Sequence, residues 1–283
     1  MNEALTNIFK TLAENAEKNL IKNRNADDYI GEDGLLHCGK CGTAKQYRMP
    51  ENFVRAGIPE VVGCICKCQA AEEERKKAER QLEDIIRRNK QAANIPDHYL
   101  SADIGMIENP DARKIGLNYI RNFEKMDRMG LLLYGDVGTG KTYLAACVAN
   151  GLLNRGVSVR WLTAMQIVER GGFHSEAEYA EYVRDITYPD LLVIDDLGAE
   201  RGTEYAVERV HSLIDTRISS NKPLIVTTNI DITDMGSCTD IKKKRTFDRI
   251  LPATFSFAMK GKSYRMKQAQ KSYEELKNLL FEG

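Results

Sequence analysis

The segment GDVGTGKT, at positions 135–142, constrains the fold of this chain more than any other feature of its sequence. It fits the pattern G-x-x-x-x-G-K-[ST], follows the apolar run LLLY and precedes a stretch with helical periodicity. Glycines let the backbone curl so that consecutive N–H groups point inward, and the next helix adds its positive N-terminal end. Such a loop binds phosphate groups, so we expect a nucleoside triphosphate here.

Two side chains of this segment have separate expected tasks. Lys141 is expected to reach the β- and γ-phosphates, and the Thr142 hydroxyl to ligate Mg²⁺. Cys147, on the apolar side of the next helix, is expected to be a buried small side chain. The predicted nucleotide-binding residues are Gly135, Asp136, Val137, Gly138, Thr139, Gly140, Lys141, Thr142 and Tyr143.

Acidic and polar side chains end two later apolar runs. The run LLVIDD, at 191–196, ends in Asp195 and Asp196, and the run PLIVTTN ends in Asn229. In a parallel sheet these ends share one edge, so the carboxylates can meet the phosphate loop. We expect Asp195 to hold Mg²⁺ through water, and Asp196 to orient or deprotonate the attacking water. Asn229 either holds that water or forms an ordinary turn after the strand.

Short apolar runs alternate with helical stretches from about residue 95 onward. This alternation predicts an α/β fold with a five-stranded parallel sheet flanked by helices. The runs are 131–135, 157–163, 191–196, 223–229 and, more weakly, 253–259.

The order of these motifs resembles the DnaC/IstB-like group of AAA+ P-loop ATPases. GDVGTGKT, LLVIDDLGAE, KPLIVTTN, RTFDRI and GKSYR occur in that order, and IPDHYLSADI, at 95–104, resembles the segment that precedes the ATPase core. The match covers roughly residues 95–270. The group contains helicase loaders and transposition helper ATPases, which implies ATP hydrolysis and assembly into homo-oligomers on ATP and DNA.

The resemblance also assigns roles to individual residues. Asn229 takes the sensor-1 role, Arg249 that of an arginine finger reaching a neighbouring subunit, with Arg245 as its alternate, and Arg265 the sensor-2 role. Many members have Asp-Glu where this chain has Asp195-Asp196, which implies slow turnover. Glu200 is then a second candidate for the base.

Seven cysteines are present, and five of them lie within 31 residues. The N-terminal sequence has no apolar signal region, so we expect a cytoplasmic protein whose cysteines bind metal rather than form disulfides. Cys38 and Cys41 form a C-x₂-C knuckle, and the preferred partners in a tetrahedral Zn²⁺ site are Cys66 and Cys68. Cys64 remains an alternative third ligand, His37 a less suitable substitute, and free or redox-active thiols the competing interpretation.

Three regions follow from these patterns. Residues 1–70 are expected to form an N-terminal helix, with an apolar face over 2–24, and a small zinc-binding module. Residues 71–94 form a charged helical linker, in which Glu72–Lys76 and Asp84–Arg88 pair one turn apart. Residues 95–283 form the ATPase domain. No apolar run is long enough to span a membrane.

One basic stretch stands out in a chain whose net charge is zero. Residues 242–267 contain nine basic side chains and one acid, a net charge of +8. Such a stretch binds nucleic acid through phosphates, or is a solvated surface. Phe255 and Phe257, which alternate within it, are expected to lie in the core of a strand.

The sequence thus favours an ATP-dependent DNA replication helicase loader that binds a replicative helicase and single-stranded DNA. The zinc module supports this interpretation, because loaders of the Gram-positive type resemble this layout. An IstB-like transposition helper is the alternative. A metabolic P-loop kinase and a nucleotide-dependent adaptor that does not hydrolyse ATP are more distant possibilities.

Overall fold

The computed structural model describes residues 24–281 except 127, 170–174, 200–202 and 262, together with residues 11, 14–16, 18 and 21. The helix predicted over 2–24 therefore lies mostly outside the described residues. The chain divides into two compact units, residues 1–82 and residues 83–283.

The first unit contains two antiparallel strand pairs. Strands β1 (Tyr29–Ile30) and β2 (Leu36–His37) form one pair, and β3 (Gln46–Arg48) and β4 (Val61–Gly63) form the other. The short helix α1 (Glu51–Val54) lies between β3 and β4 along the chain.

The long helix α2 (Lys67–Ala92) has no buried residue. Its charged side chains pair along the surface: Arg75 contacts Glu72 and Glu79, and Lys76 contacts Glu72 at 3.3 Å. The expected ion pair between Asp84 and Arg88 is replaced by Asp84–Arg87 at 2.6 Å. Solvated pairs of this kind are typical of a helix whose surface faces water.

The second unit is built on a five-stranded parallel sheet, which confirms the predicted fold class. The strand order is β6-β7-β8-β5-β9, and all five runs identified in the sequence form strands. The strands are β5 (Gly130–Tyr134), β6 (Val159–Thr163), β7 (Leu191–Leu197), β8 (Leu224–Thr228) and β9 (Thr254–Ala258).

Helices cover both faces of this sheet. The helices that follow α2 along the chain are α3 (Pro110–Asn122), α4 (Lys141–Leu153), α5 (Ala164–Glu169), α6 (Glu176–Thr187), α7 (Glu204–Ser219), α8 (Ile232–Gly236), α9 (Ile241–Ala253) and α10 (Tyr264–Phe281). Short 3₁₀ turns occur at Asp97–Tyr99, Ile104–Met106 and Phe123–Lys125.

The strands are buried on both sides, and successive side chains enter different cores. Leu131 and Leu133 of β5 pack in a cluster with α4, whereas Leu132 between them packs in the cluster on the opposite face with α7. This explains why the strands read as continuous apolar runs rather than as alternating ones. Cys147 of α4 is buried in the first cluster, as expected.

Arg217, near the end of α7, is fully buried, and its guanidinium binds backbone carbonyls. Its guanidinium donates to the carbonyl oxygens of Thr187, Pro189, Asp190 and Pro223, at 2.5–3.1 Å. Burial lowers the pKa of Arg217 to about 10, so the group remains charged at neutral pH. These contacts connect the end of α7 to the loops that precede β7 and β8.

None of the described helices is long and apolar enough to cross a membrane.

We predict that Arg217→Met lowers the free energy of unfolding by about 3 kcal/mol, because four carbonyls lose a buried donor. Chemical denaturation measures this difference. The control is Arg184→Met on α6, where the side chain is 74% exposed and little change is expected. Equal unfolding midpoints for the two variants would contradict a role for Arg217 in fastening the loops.

Candidate nucleotide-binding site and cysteine cluster

The loop between β5 and α4 has the backbone shape that phosphate binding requires. Gly135, Gly138 and Gly140 have φ angles of 128°, 82° and 94°, which side-chain-bearing residues rarely adopt. A Cβ at Gly135 would lie 2.5 Å from the Met259 carbonyl oxygen, and one at Gly138 would lie 2.1 Å from Ser263 Oγ. The chain therefore requires glycine at these two positions for both φ and space.

Lys141 begins α4 and is buried. Its Nζ donates to the carbonyl oxygens of Gly135 and Asp136, both at 2.7 Å, so the ammonium lies against the loop itself. Burial lowers the pKa of Lys141, and the nearby carboxylates of Asp196 and Asp136 oppose that shift. A cation held this way suits a multiply charged anion in the loop.

The loop and the acidic strand end meet through Thr142 and Asp195. The Thr142 hydroxyl donates to Asp195 Oδ1 at 2.9 Å, and the Thr227 hydroxyl of β8 donates to the same oxygen at 2.6 Å. Burial raises the pKa of Asp195, and these two hydrogen bonds counteract the rise. Hydroxyl and carboxylate oxygens are the ligands that Mg²⁺ prefers, so the donor set fits that ion.

Asp196 occupies a β-bulge that the sequence did not reveal. Between β7 and β8 the register passes from Ile194–Val226 to Leu197–Thr228, so Asp195 and Asp196 together oppose one residue. Asp196 has φ 59°, a left-handed conformation that is uncommon for a residue with a side chain. The bulge lets the first aspartate face Thr142 while the second is exposed.

Asn229 follows β8 and lies beside the second aspartate. Its Nδ2 donates to Asp196 Oδ1 at 3.3 Å. The structure thus brings Asn229 and Asp196 together at the strand ends, with Asp195 adjacent.

The basic candidates separate into two groups. Arg265 lines the cavity beside the phosphate loop, together with Lys141 and Thr142. Arg249 lies on α9, half exposed, with its Nε 2.7 Å from Asp215 Oδ1 of the same chain. Arg245 is exposed on the same helix, and Glu200 lies outside the described residues.

The cavity of about 530 Å³ beside the loop contains residues that the motif search did not assign. One wall comes from the segment 98–109 and another from Met259 and Tyr264. The Tyr264 N–H donates to the Gly138 carbonyl oxygen at 2.9 Å, which packs the GKSYR segment against the loop. The resemblance of IPDHYLSADI to a segment preceding the ATPase core was the only signal in the sequence for the first wall.

In the first unit, Cys38, Cys41, Cys66 and Cys68 form a cluster whose sulfur atoms all lie within 4.8 Å of one another. Cys68 Sγ is 3.3 Å from Cys66 Sγ and 3.6 Å from Cys38 Sγ. A tetrahedral Zn²⁺ site with bonds of about 2.3 Å has sulfur–sulfur edges of about 3.8 Å. The four sulfurs therefore fit such an ion.

Cys64 and His37, the two alternative zinc ligands, have other contacts. Cys64 is exposed, with its sulfur 3.7 Å from the Ala44 carbonyl oxygen. Both ring nitrogens of His37 have other partners, the carbonyl oxygen of Gly42 and the carboxylate of Asp33. The geometry thus favours Cys66 over Cys64 as the third ligand of the metal site.

The thiols of the cluster differ in pKa. The Thr43 hydroxyl, 3.1 Å from Cys41 Sγ, lowers the pKa of Cys41 to about 5. The neighbouring sulfurs of Cys66, Cys41 and Cys38 raise the pKa of Cys68 to about 12. Several thiolates this close repel one another, and a bound cation removes that repulsion.

The basic stretch includes helix α9 and strand β9. Lys242 pairs with Glu204 at 3.1 Å, which joins the start of α9 to the start of α7. The expectation for the phenylalanines was half right: Phe257 packs against the core, whereas Phe255 is 54% exposed. Strand β9 is at the edge of the sheet.

The model of the family described as IstB-like ATP binding protein matches residues 65–272. The chain belongs to this family. An ATP-binding role thus agrees with the loop and with its contact to Asp195.

Relatives of this protein include a replicative helicase loader and a protein of an insertion sequence. The replicative helicase loader DnaC of Escherichia coli strain K12 is 30% identical over 159 residues, which cover 55% of this chain and 63% of that protein. A putative ATP-binding protein in an insertion sequence of Mycobacterium tuberculosis is 28% identical over 138 residues, or 48% of this chain and 55% of that protein. The chain thus spans less than two thirds of the length of each.

Solved structures support the same fold. A crystal structure of the DnaC helicase loader matches with a TM-score of 0.51 and 20% identity, over 58% of this chain and 100% of that one. A crystal structure of DnaI matches with a TM-score of 0.50 and 24% identity, over 59% and 95%. The second unit therefore has the fold of AAA+ P-loop ATPases.

We predict that the purified chain binds about one Zn²⁺ through its cysteine cluster. Cys66→Ser is expected to lose most of this metal, because oxygen replaces a sulfur ligand. Cys64→Ser, two residues away and outside the cluster, is the matched control and should retain it. Metal content measured by atomic emission tests this. A metal-free but folded wild-type chain, or equal loss in both variants, would contradict the assignment.

Proposed function

We propose that this IstB-family protein is an ATPase that loads a replicative DNA helicase onto single-stranded DNA. The observation that carries the ATPase part is the 2.9 Å contact between Thr142, at the start of the phosphate-binding helix, and Asp195, at the end of β7. This contact brings a phosphate loop and an acidic strand end into one site, the arrangement that phosphoryl transfer needs.

The residues of this site have different proposed roles in ATP binding and hydrolysis. Lys141 binds the phosphates, and Thr142 with Asp195 would hold Mg²⁺, which supplies positive charge for the developing phosphoryl group. Asp196 is exposed beside Asn229, so these two can orient a water and accept its proton. Arg265, at the cavity, supplies a further positive charge to the γ-phosphate.

Arg249 is proposed to act on ATP bound by a neighbouring copy of the chain. Its guanidinium is half exposed, and Asp215 holds the Nε side. A solvent-facing guanidinium held in this way can contact an anion on a second subunit. We therefore propose a homo-oligomer that forms on ATP and DNA.

A basic and aromatic surface supports the proposal of single-stranded DNA binding. The Lys242–Glu204 pair brings the basic start of α9 next to Tyr205 on α7. The guanidinium of Arg209 lies 4.9 Å from the Tyr205 ring centroid and 3.7 Å from that of Tyr179. Basic side chains beside half-exposed aromatic rings bind phosphates and stack on bases without sequence preference.

The first unit is proposed to hold the helicase. A small module organised by a metal cluster presents a fixed surface with few residues. The similarity to DnaC over 159 residues supports the loader function. The alternative, a transposition helper ATPase on double-stranded DNA, is supported by the insertion-sequence relative.

We predict that two substitutions in the site separate ATP binding from hydrolysis. Lys141→Ala is expected to weaken ATP binding at least about tenfold, because a charge-assisted contact to phosphate is lost. Asp196→Asn should bind ATP normally and hydrolyse it about a hundredfold more slowly, because the proton acceptor is lost. Calorimetry and single-turnover phosphate release measure the two steps.

The control for both variants is Asp234→Asn, an exposed position on α8 that should change neither step. Unchanged ATP affinity in Lys141→Ala would reject the assignment of the phosphate loop. Normal turnover in Asp196→Asn would shift the base role to another residue.

We predict that the full-length chain forms a complex with the replicative helicase of its own cell and transfers it to circular single-stranded DNA in the presence of ATP. Size-exclusion chromatography and helicase unwinding of the loaded circle measure the two steps. Cys66→Ser should weaken the complex, whereas Cys64→Ser should not. Binding to a transposase instead of the helicase would favour the transposition helper.

A further inference from the structure

The phosphate-binding helix α4 makes a row of polar contacts with the segment 99–103. The Tyr143 hydroxyl accepts from the Asp103 N–H at 3.2 Å and donates to the Asp103 carbonyl oxygen at 3.3 Å. The Asn150 side-chain amide donates to the carbonyl oxygen of Tyr99 at 2.8 Å, with longer contacts to those of Leu100 and Ala102. Two side chains thus bind backbone groups of one short segment.

Both side chains belong to one face of α4. Tyr143 and Asn150 are seven residues apart, which is two helical turns. Lys141 and Thr142 are in the first turn of the same helix. One rigid element therefore carries the phosphate-binding side chains and the attachment points of the segment 99–103.

The same part of the chain forms a wall of the nucleotide cavity. His98, Tyr99, Met106 and Ile107 line that cavity together with residues 138–142 of the phosphate loop, and Tyr143 also lines it. A wall of aromatic and apolar side chains in the same cavity as the phosphate loop suits a nucleoside base.

Apolar packing leaves this segment little freedom to shift. A Cβ at Gly116 of α3 would lie 2.7 Å from Ile104 Cδ1 and 2.9 Å from Leu144 Cδ1, so α3, α4 and the segment meet closely. Ile107 belongs to the same buried cluster as Leu144 and Val148. The polar contacts of Tyr143 and Asn150 fix where the segment lies along the face of α4.

We propose that Tyr143 and Asn150 are positioning residues that hold the base-binding wall at a fixed distance from the phosphate loop. They act through the backbone of residues 99–103, so they set the affinity for the nucleoside part of the ligand and not that for its phosphates. This inference rests on the proposed binding of ATP and names the residues that determine how the base is bound.

The test compares a nucleoside triphosphate analogue with a ligand that has a triphosphate chain and no nucleoside. Tyr143→Phe keeps the ring in the cavity and removes both contacts to Asp103. Calorimetry with Mg²⁺ measures binding of a non-hydrolysable ATP analogue and of inorganic tripolyphosphate. We expect the Kd of the ATP analogue to rise at least about fivefold, the lower bound for the loss of two neutral hydrogen bonds, and that of tripolyphosphate to stay unchanged.

The matched control is Tyr188→Phe, the same substitution at a side chain that is 76% exposed. It should leave both dissociation constants unchanged. Hydrogen exchange gives a second measurement, in which the amides of residues 99–104 should exchange faster in Tyr143→Phe than in the control.

Each remaining outcome is decisive. Equal affinities for the ATP analogue in wild type and Tyr143→Phe overturn the inference. So does an equal weakening of both ligands, because the hydroxyl would then act on the phosphate loop or on stability. A wild-type chain that binds both ligands equally well has no base-binding wall. A wild-type chain that binds neither ligand rejects the proposed ATP binding itself.

Discussion

The hydrogen bond between Thr142 and Asp195 is the contact on which the candidate site depends. It connects the helix after β5 with the end of β7, two strands that are not neighbours, because β8 lies between them. Thr227 of β8 donates to the same carboxylate oxygen, so three elements meet at one atom. Because Asp195 is buried, its charge is favourable only while these donors remain in place. The position of the acidic strand end is thus fixed by the phosphate-binding helix itself.

The bulge at Asp195 and Asp196 gives the second acid a different task. In a regular strand, consecutive side chains point to opposite faces, and Asp196 would lie against the layer of α7. The extra residue and the left-handed backbone instead leave Asp196 exposed beside Asn229. A strained backbone at this position is typical of functional sites, where surrounding structure maintains it. Two adjacent aspartates can therefore have one buried and one solvent-facing environment.

Local patterns in the sequence were sufficient for the strands and for the phosphate loop. The runs around Leu132 and Val193 are apolar throughout because both faces of the strands are covered, and glycine spacing marks the loop. The bulge could not be foreseen, because it depends on the register between β7 and β8. Phe255 was misassigned for a related reason, since the position of β9 at the edge of the sheet is a property of topology. The contacts of Tyr143 and Arg217 are to backbone atoms distant in sequence, which no motif encodes.

The apolar cores of the two units differ in size and composition. Among the described residues up to 82, the buried apolar side chains are Leu36, Ile58 and the two cysteines Cys38 and Cys66. Half of that small core consists of members of the sulfur cluster, so a metal held by the cluster would stabilise the unit directly. The second unit has two extensive apolar clusters and needs no ligand for its core. Removal of metal is therefore expected to act on the fold of the first unit, whereas removal of nucleotide acts on local positions around Lys141.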